Sequence, residues 1–106
     1  MIEDFLFLMM GHALADQGLQ SEWVAKNKNR RNFPEGWYMV LISHGLIHGL
    51  LVYLITHNMI LGALETILHS VIDFGKCEGK YRFLVDQILH TLCKAGYVVY
   101  MVWGLQ

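Results

Sequence analysis

The chain has 106 residues, of which 55% are hydrophobic and only 16% are charged. This length allows one domain, and the composition is more apolar than that of an ordinary soluble domain, which favours a membrane protein. With a formal net charge of -1, no nucleic acid is expected as a partner.

Four apolar segments are predicted to be helices: residues 2–24, 36–57, 59–75 and 81–104. Polar residues Asp16, Gln17 and Gln20 interrupt the first segment, and a tight turn joins the second to the third. Crossing a bilayer takes roughly 20 apolar residues, so the second and fourth segments qualify while the third is short. We predict an all-α fold, a four-helix transmembrane bundle that forms a single membrane domain over residues 1–106.

Basic side chains are concentrated in two loops. Seven of the eight Lys and Arg residues lie in or beside the first and third loops, which share one side of a four-span bundle. The positive-inside rule places those loops in the cytoplasm and both termini on the opposite side. We expect a multi-pass protein of the bacterial inner membrane, with membrane lipid as a partner. A soluble four-helix bundle with basic loops is the alternative.

Each segment carries two metal-capable side chains four residues apart, a spacing that puts both on one face of a helix. Counted from the basic loops, all four pairs lie at a similar depth, which predicts an intramembrane site near the cytoplasmic side. The predicted metal ligands are His12, Asp16, His44, His48, His69, Asp73, Asp86 and His90.

The residue types favour a transition metal. His44 and His48 lack the complementary charge of a structural couple, yet they suit two ligands of one metal. Imidazole with carboxylate and no thiolate indicates zinc, with manganese, iron or nickel as alternatives, and the number of ligands predicts one or two ions. The other interpretation is a network of hydrogen-bonded His–Asp couples with a structural or proton-handling role.

Two further ionisable residues extend the predicted site. Glu65 precedes His69 by four residues, and Lys94 follows His90 by four. Glu65 is a candidate general base, and Lys94 is either its buried ion-pair partner or a cation that stabilises charge in a transition state. Gln17 and Gln87 are predicted to hydrogen-bond the ligands, and Gln20 continues the helical face of His12 and Asp16. His57, at the far end of the second segment, is expected to lie outside the site.

Residues 11–16, 19–23, 41–48, 68–73 and 86–90 resemble the bacterial and phage domain-of-unknown-function family 3307. The shared pattern is a His-x-x-x-Asp with a downstream Gln, a His-x-x-x-His, a His-x-x-Ile-Asp and an Asp-Gln-x-x-His, and it covers nearly the whole chain. The resemblance implies a small multi-pass membrane protein and carries no reaction with it. A looser similarity, at the level of the fold, is to inner-membrane metal-dependent hydrolases.

The expected function is hydrolysis of a phosphoester by metal-activated water. The basic loops would attract an anionic substrate that contains phosphate, either a lipid head group or a cytoplasmic nucleotide. One alternative is a metal-ion or proton transporter, although polar residues become scarce towards the far side. Another is a non-enzymatic bacterial or phage membrane partner protein, in which the polar residues only set helix packing. Homo-oligomerisation is compatible with each of these functions.

Overall fold

A computed structural model describes residues 1–104 of the chain. It contains five α-helices: α1 Ile2–Ala13, α2 Glu22–Asn27, α3 Trp37–Thr56, α4 Met59–Cys77 and α5 Phe83–Gly104. A π-helical segment, Leu14–Leu19, continues directly from α1. Within residues 1–104 there is no β-strand, so the predicted all-α class is confirmed.

The four longer helices form a closed ring. Helix α1 contacts α3 and α5, and α4 contacts the same two helices. The short α2 packs against α3. Residues 28–36 and 78–82 lie at one end of this ring, which we term the basic end, and the α3–α4 turn lies at the opposite end. The chain order therefore brings one face of every long helix to a common interior.

The first segment differs from the single helix predicted over residues 2–24. The α-helix ends at Ala13, the π-helical segment ends at Leu19, and Gln20 has an extended backbone with φ −79° and ψ 112°. Ser21 then caps α2, because its hydroxyl accepts a hydrogen bond from the Val24 amide at 3.1 Å. Serine favours this capping position over a helix interior. The break changes the direction of the chain, so that α2 packs against α3.

The other predicted helices agree with the structure to within two residues at each end. Helix α3 ends at Thr56, and the residue that caps it, His57, has a left-handed φ of 55°. The Asn58 side chain then caps α4 by accepting a hydrogen bond from the Leu61 amide at 3.0 Å. The predicted tight turn is present at this position.

Small residues allow α3 and α4 to approach closely. A Cβ atom added at Gly49 would lie 2.6 Å from the Gly62 carbonyl oxygen and would also collide with the Thr66 hydroxyl. One turn earlier, a Cβ at Gly45 would collide with the Ser70 hydroxyl. These two glycines therefore set the distance between the helices that carry four of the predicted ligands.

Polar residues fill the interior of the ring and apolar residues cover its outside. Among the described residues, ten buried side chains are polar or charged and only seven are hydrophobic. Soluble proteins show the opposite distribution. Large exposed apolar side chains occur on all four long helices, among them Leu6, Met10, Leu46, Leu50, Ile60, Ile67, Leu84 and Leu92.

Helix α3 is the one helix in residues 1–104 that is both long and apolar enough to cross a bilayer. A single helix of this kind also occurs in the cores of soluble proteins, so its length and composition are weak evidence for a membrane. By these two criteria the structure supports one candidate span and does not support the predicted multi-pass bundle of four.

Candidate metal centre

All eight predicted ligands point into the ring. The π-helical segment carries Asp16, and α1 carries His12. Helices α3, α4 and α5 each contribute two more residues, all buried. Asp16 is the most accessible member, with 9% of its side-chain surface exposed. Together the eight residues form the His/Asp cluster.

Asp16 is the centre of one half of the cluster. Its Oδ1 atom lies 2.9 Å from Nε2 of His48, 3.1 Å from Nε2 of His44 and 3.6 Å from Nε2 of His69. One potential ligand atom from each of these four residues lies within 4.8 Å of the other three. These residues, the Asp16 group, could therefore hold a single ion.

Asp73 is the centre of the other half. Its Oδ1 atom lies 3.1 Å from His90 Nε2, and its Oδ2 atom lies 3.3 Å from His69 Nε2. The ligand atoms of these three residues, the Asp73 group, also lie within 4.8 Å of one another. The His69 ring is stacked between those of His48 and His90, with centroid distances of 3.5 and 4.0 Å. His69 thus belongs to both groups.

His12 and Asp86 lie beside these groups and belong to neither. His12 Nε2 is 3.3 Å from Asp16 Oδ2, and Asp86 Oδ1 is 3.4 Å from His90 Nε2. The Gln87 amide links them, because its oxygen lies 3.1 Å from His12 Nε2 and its nitrogen donates to Asp86 at 2.9 Å. Gln87 therefore contacts the cluster as predicted. Gln17, for which the same contact was predicted, is exposed on the outside.

Several buried polar atoms in the cluster have no hydrogen-bond partner. Neither ring nitrogen of His69 makes a hydrogen bond, although the ring is fully buried. The others are Nδ1 of His12, Nδ1 of His90 and Oδ1 of Asp86. Buried polar atoms are normally paired, because leaving one unpaired costs about 1–3 kcal/mol. A cation among these atoms would satisfy those that face it.

A second polar contact lies next to the cluster, on the side away from the basic end. Lys94 donates a hydrogen bond to Glu65 Oε2, and the Tyr97 hydroxyl donates to Glu65 Oε1 at 2.7 Å. Glu65 Oε2 is also 3.3 Å from His69 Nδ1. The predicted ion pair between Lys94 and Glu65 is therefore present, and a catalytic role for either residue stays a prediction. Tyr97 follows Lys94 by three residues, a spacing from which it could have been identified.

Lys28 is a member of the site that sequence reasoning missed. Its ammonium donates to Asp73 Oδ2 at 2.8 Å and to Gln20 Oε1 at 2.7 Å, and the residue is only 6% exposed. In the sequence, Lys28 is one of several basic residues in the first loop. Its burial depends on the break at Gln20 and on the direction of α2, which the residue pattern did not indicate.

The two loops at the basic end are tied together outside the site. Arg30 donates two hydrogen bonds of 2.7 Å to the Glu78 carboxylate. These bonds, together with the charge of Arg30, hold the pKa of Glu78 below its ordinary value. The Asn29 amide also donates to the Cys77 carbonyl at 3.2 Å. These contacts of Asn29 and Arg30 therefore fix the position of Lys28, which directly precedes them in the sequence.

Comparison with known proteins gives one informative result. No curated protein and no solved structure has a significant match to this chain. The model of the family described as "Protein of unknown function (DUF3307)" matches residues 5–104, a range that includes the whole His/Asp cluster. The looser similarity to metal-dependent hydrolases is not confirmed by these comparisons. The match confirms the family resemblance, and the chain belongs to the DUF3307 family.

Proposed function

We propose that this protein is an integral membrane metalloprotein that holds one or two transition-metal ions in its His/Asp cluster and hydrolyses a phosphoester. The observation that carries the proposal is the convergence of the Asp16 and Asp73 groups, each with its ligand atoms within 4.8 Å. The ligands come from four separate helical elements, so local helix geometry does not explain their meeting. His69 Nε2, which is buried and makes no hydrogen bond, supports the same conclusion.

The donor set favours zinc and allows manganese, iron or nickel. Imidazole nitrogen and carboxylate oxygen are suitable ligands for all four metals. Neither cysteine belongs to either group, which argues against a thiolate-rich structural zinc site. Five imidazoles are more than magnesium or calcium would use.

The geometry also bears on the number of ions. Because one ring nitrogen binds one ion, Nε2 of His69 cannot complete both groups at once. A first ion could take Asp16, His44 and His48, leaving His69, Asp73 and His90 for a second. A single ion held by the complete Asp16 group is the other arrangement. We therefore expect one or two equivalents of metal per chain.

The distribution of side chains supports a location in the membrane. Apolar residues cover the outside of all four long helices, where lipid would contact them. Helices α4 and α5 contain charged residues that lower their mean hydropathy, but Asp73, Asp86 and Lys94 are all buried in the ring. Ionisable residues in membrane helices normally face the bundle interior. The basic end would then face the cytoplasm.

A bound ion would supply Lewis acidity, activating water at neutral pH and polarising a phosphoryl oxygen. Asp86 Oδ1 has no hydrogen-bond partner and lies beside His90, a position from which it could accept a proton from water. Lys28 could hold an anionic oxygen of the substrate. Both Glu65 oxygens are engaged by Lys94 and Tyr97, so we assign Glu65 to orienting the His69 ring and Lys94 to supporting Glu65.

The apolar end of the bundle favours hydrolysis over transport. Beyond Glu65 and Lys94, buried Leu8, Val52 and Leu61 pack together in a hydrophobic cluster. A transported ion would need polar groups along that half of the interior. A site closed towards that end fits an enzyme better than a transport path.

The test is an activity assay on detergent-purified protein that has been stripped of metal and reloaded with zinc or manganese. Substrates are p-nitrophenyl phosphate, phosphatidic acid and a nucleoside triphosphate. We expect turnover of at least one substrate, and we expect Asp73→Asn and His44→Gln to abolish it. His57→Asn is the matched control, because it removes an exposed imidazole and asparagine tolerates the left-handed backbone there.

Other outcomes would overturn the proposed hydrolysis. Ion flux in proteoliposomes without turnover would identify a transporter. Bound metal with neither turnover nor flux would identify a non-enzymatic partner protein.

A further inference from the structure

A cleft of about 220 Å³ lies between α2 and α3 on the outer surface. The cleft has two apolar walls. One is formed by Leu19, Trp23 and Val24, and the other by Met39, Val40 and Ile47 of α3. Trp23 and Met39 are 58% and 64% exposed, so the cleft is continuous with the apolar exterior of the bundle.

The cleft leads inward to the His/Asp cluster. Its polar lining residues are Gln20, Ser43 and His44. His44 Nε2 is 3.1 Å from Asp16 Oδ1, and Gln20 Oε1 accepts the hydrogen bond from Lys28. One end of the cleft is therefore lined by the candidate metal ligand His44 and by Gln20, which accepts a hydrogen bond from the buried Lys28 ammonium.

We infer that this cleft binds one acyl chain of an anionic phospholipid and presents the phosphate of its head group to Lys28 and the His/Asp cluster. A catalytic role for this binding rests on the proposed function, but the binding itself does not depend on it. Apolar walls with a few convergent polar groups are the usual composition of a ligand pocket.

The chemistry and size of the cleft favour a lipid chain over a soluble phosphoester. Apart from Trp23, its apolar walls are aliphatic, and such side chains suit an alkyl chain better than a sugar or a base. Pockets that enclose a whole small molecule are usually about 300–1,000 Å³. The smaller volume here fits part of one chain, while the remainder of the lipid stays in the bilayer.

Charge complementarity supports a negative head group. Lys28 reaches Gln20 at the polar lining of the cleft. Lys26 is exposed on α2 itself, and Arg31 is exposed at the basic end. Each basic residue near a bilayer surface strengthens the binding of anionic lipid roughly fivefold.

The test uses metal-free protein in phosphatidylcholine vesicles and measures tryptophan quenching by brominated lipid. Trp37→Phe and Trp103→Phe together leave Trp23 as the sole tryptophan. A minor fraction of the lipid is either brominated phosphatidylglycerol or brominated phosphatidylcholine. We expect the anionic lipid to quench Trp23 at a concentration roughly fivefold lower than the neutral one. A chain that retains only Trp103, which is 76% exposed on α5, should show no such preference.

Val40→Phe and Lys28→Gln examine the cleft itself, and Leu54→Phe is the control. Val40→Phe should abolish the preference by filling the cleft, whereas Leu54→Phe, on the exposed surface of the same helix, should not. Lys28→Gln should weaken the preference without removing quenching by the neutral lipid. Equal quenching by both lipids, or a preference that survives Val40→Phe, would overturn the inference. Because no turnover is measured, those results would leave hydrolysis of a soluble phosphoester intact, and failed hydrolysis would not affect the binding result.

Discussion

The Lys28 ammonium lies 2.8 Å from Asp73 Oδ2, although 45 residues separate the two in the chain. The contact joins the end of α2 to α4 across the basic end of the bundle. Asp73 is also the central carboxylate of the Asp73 group. Lys28 therefore places a positive charge against an oxygen that we propose as a metal ligand, and the two cations would compete for it.

We expect Lys28→Gln to raise the affinity for a divalent ion by about tenfold. Removing a unit charge about 4 Å from a divalent ion relieves a repulsion of about 2 kcal/mol where solvent screens the pair, and more where water is excluded. Lys80→Gln is the control, because Lys80 is exposed. Affinities would be measured by competition with a chelator of known affinity. Weaker metal binding in Lys28→Gln would contradict this prediction.

Gly49→Ala should separate α3 from α4 and destabilise the protein by about 1–3 kcal/mol, the usual cost of overpacking. The added methyl group would lie 2.6 Å from the Gly62 carbonyl, a backbone atom that cannot move aside alone. Gly96→Ala is the matched control, because a Cβ there has no neighbour within 4 Å. That change should be neutral or slightly stabilising, since alanine favours helices. Denaturant unfolding in detergent measures both, and equal effects would contradict the close packing.

Lys94→Met should destabilise the protein by about 3–5 kcal/mol, because it leaves the buried Glu65 carboxylate without its cation. The double change Glu65→Gln with Lys94→Met should recover most of that loss, since no unpaired charge remains. Glu3→Gln, at an exposed position, controls for loss of a carboxylate. The free energy of unfolding would be compared between the parent protein and these three variants. A double variant less stable than Lys94→Met would show that Glu65 is not held by this pair.

The stabilisation that the contact between Arg30 and Glu78 gives should decrease at low pH. Because Arg30 lowers the pKa of Glu78 in the folded protein, this pair stabilises the fold above the ordinary glutamate pKa. Its contribution is lost as the pH falls through the lowered value. Hydrogen-exchange protection in residues 28–33, corrected for the intrinsic slowing of exchange at low pH, should therefore fall on acidification, and Glu78→Gln should show the lower protection already at neutral pH. Exchange in Glu78→Gln that matches the parent at neutral pH would contradict this coupling.

Apart from the break in the first segment, the helices and the inward-facing residues could be predicted from the sequence. A spacing of four residues fixes a common helical face, and burial of ionisable groups among apolar neighbours requires that this face point inward. His44 and His48 could be placed on one face for this reason. Their shared contact with Asp16 Oδ1 could not be predicted, because it depends on how the π-helical segment and α3 are aligned along their axes.

The break in the first segment was missed because its residues fit a helical pattern on both sides of Gln20. The π-helical hydrogen bonding of Leu14–Leu19 has no recognised sequence signal, although such segments often occur at functional sites. Lys28 was missed for the same reason, since only the turn at Gln20 and Ser21 carries it into the interior. A basic residue in a loop is ordinarily solvated.

X-ray absorption at the metal edge of the purified, metal-loaded protein tests the proposed centre most directly. We expect a first shell of nitrogen and oxygen at about 2.0–2.2 Å for zinc, outer-shell scattering from imidazole, and no sulfur at about 2.3 Å. In Asp73→Asn and His69→Gln the bound metal should fall sharply, while His57→Asn should retain it. A correctly folded protein that binds no metal, or whose metal shows a sulfur shell, would contradict a His/Asp metal centre.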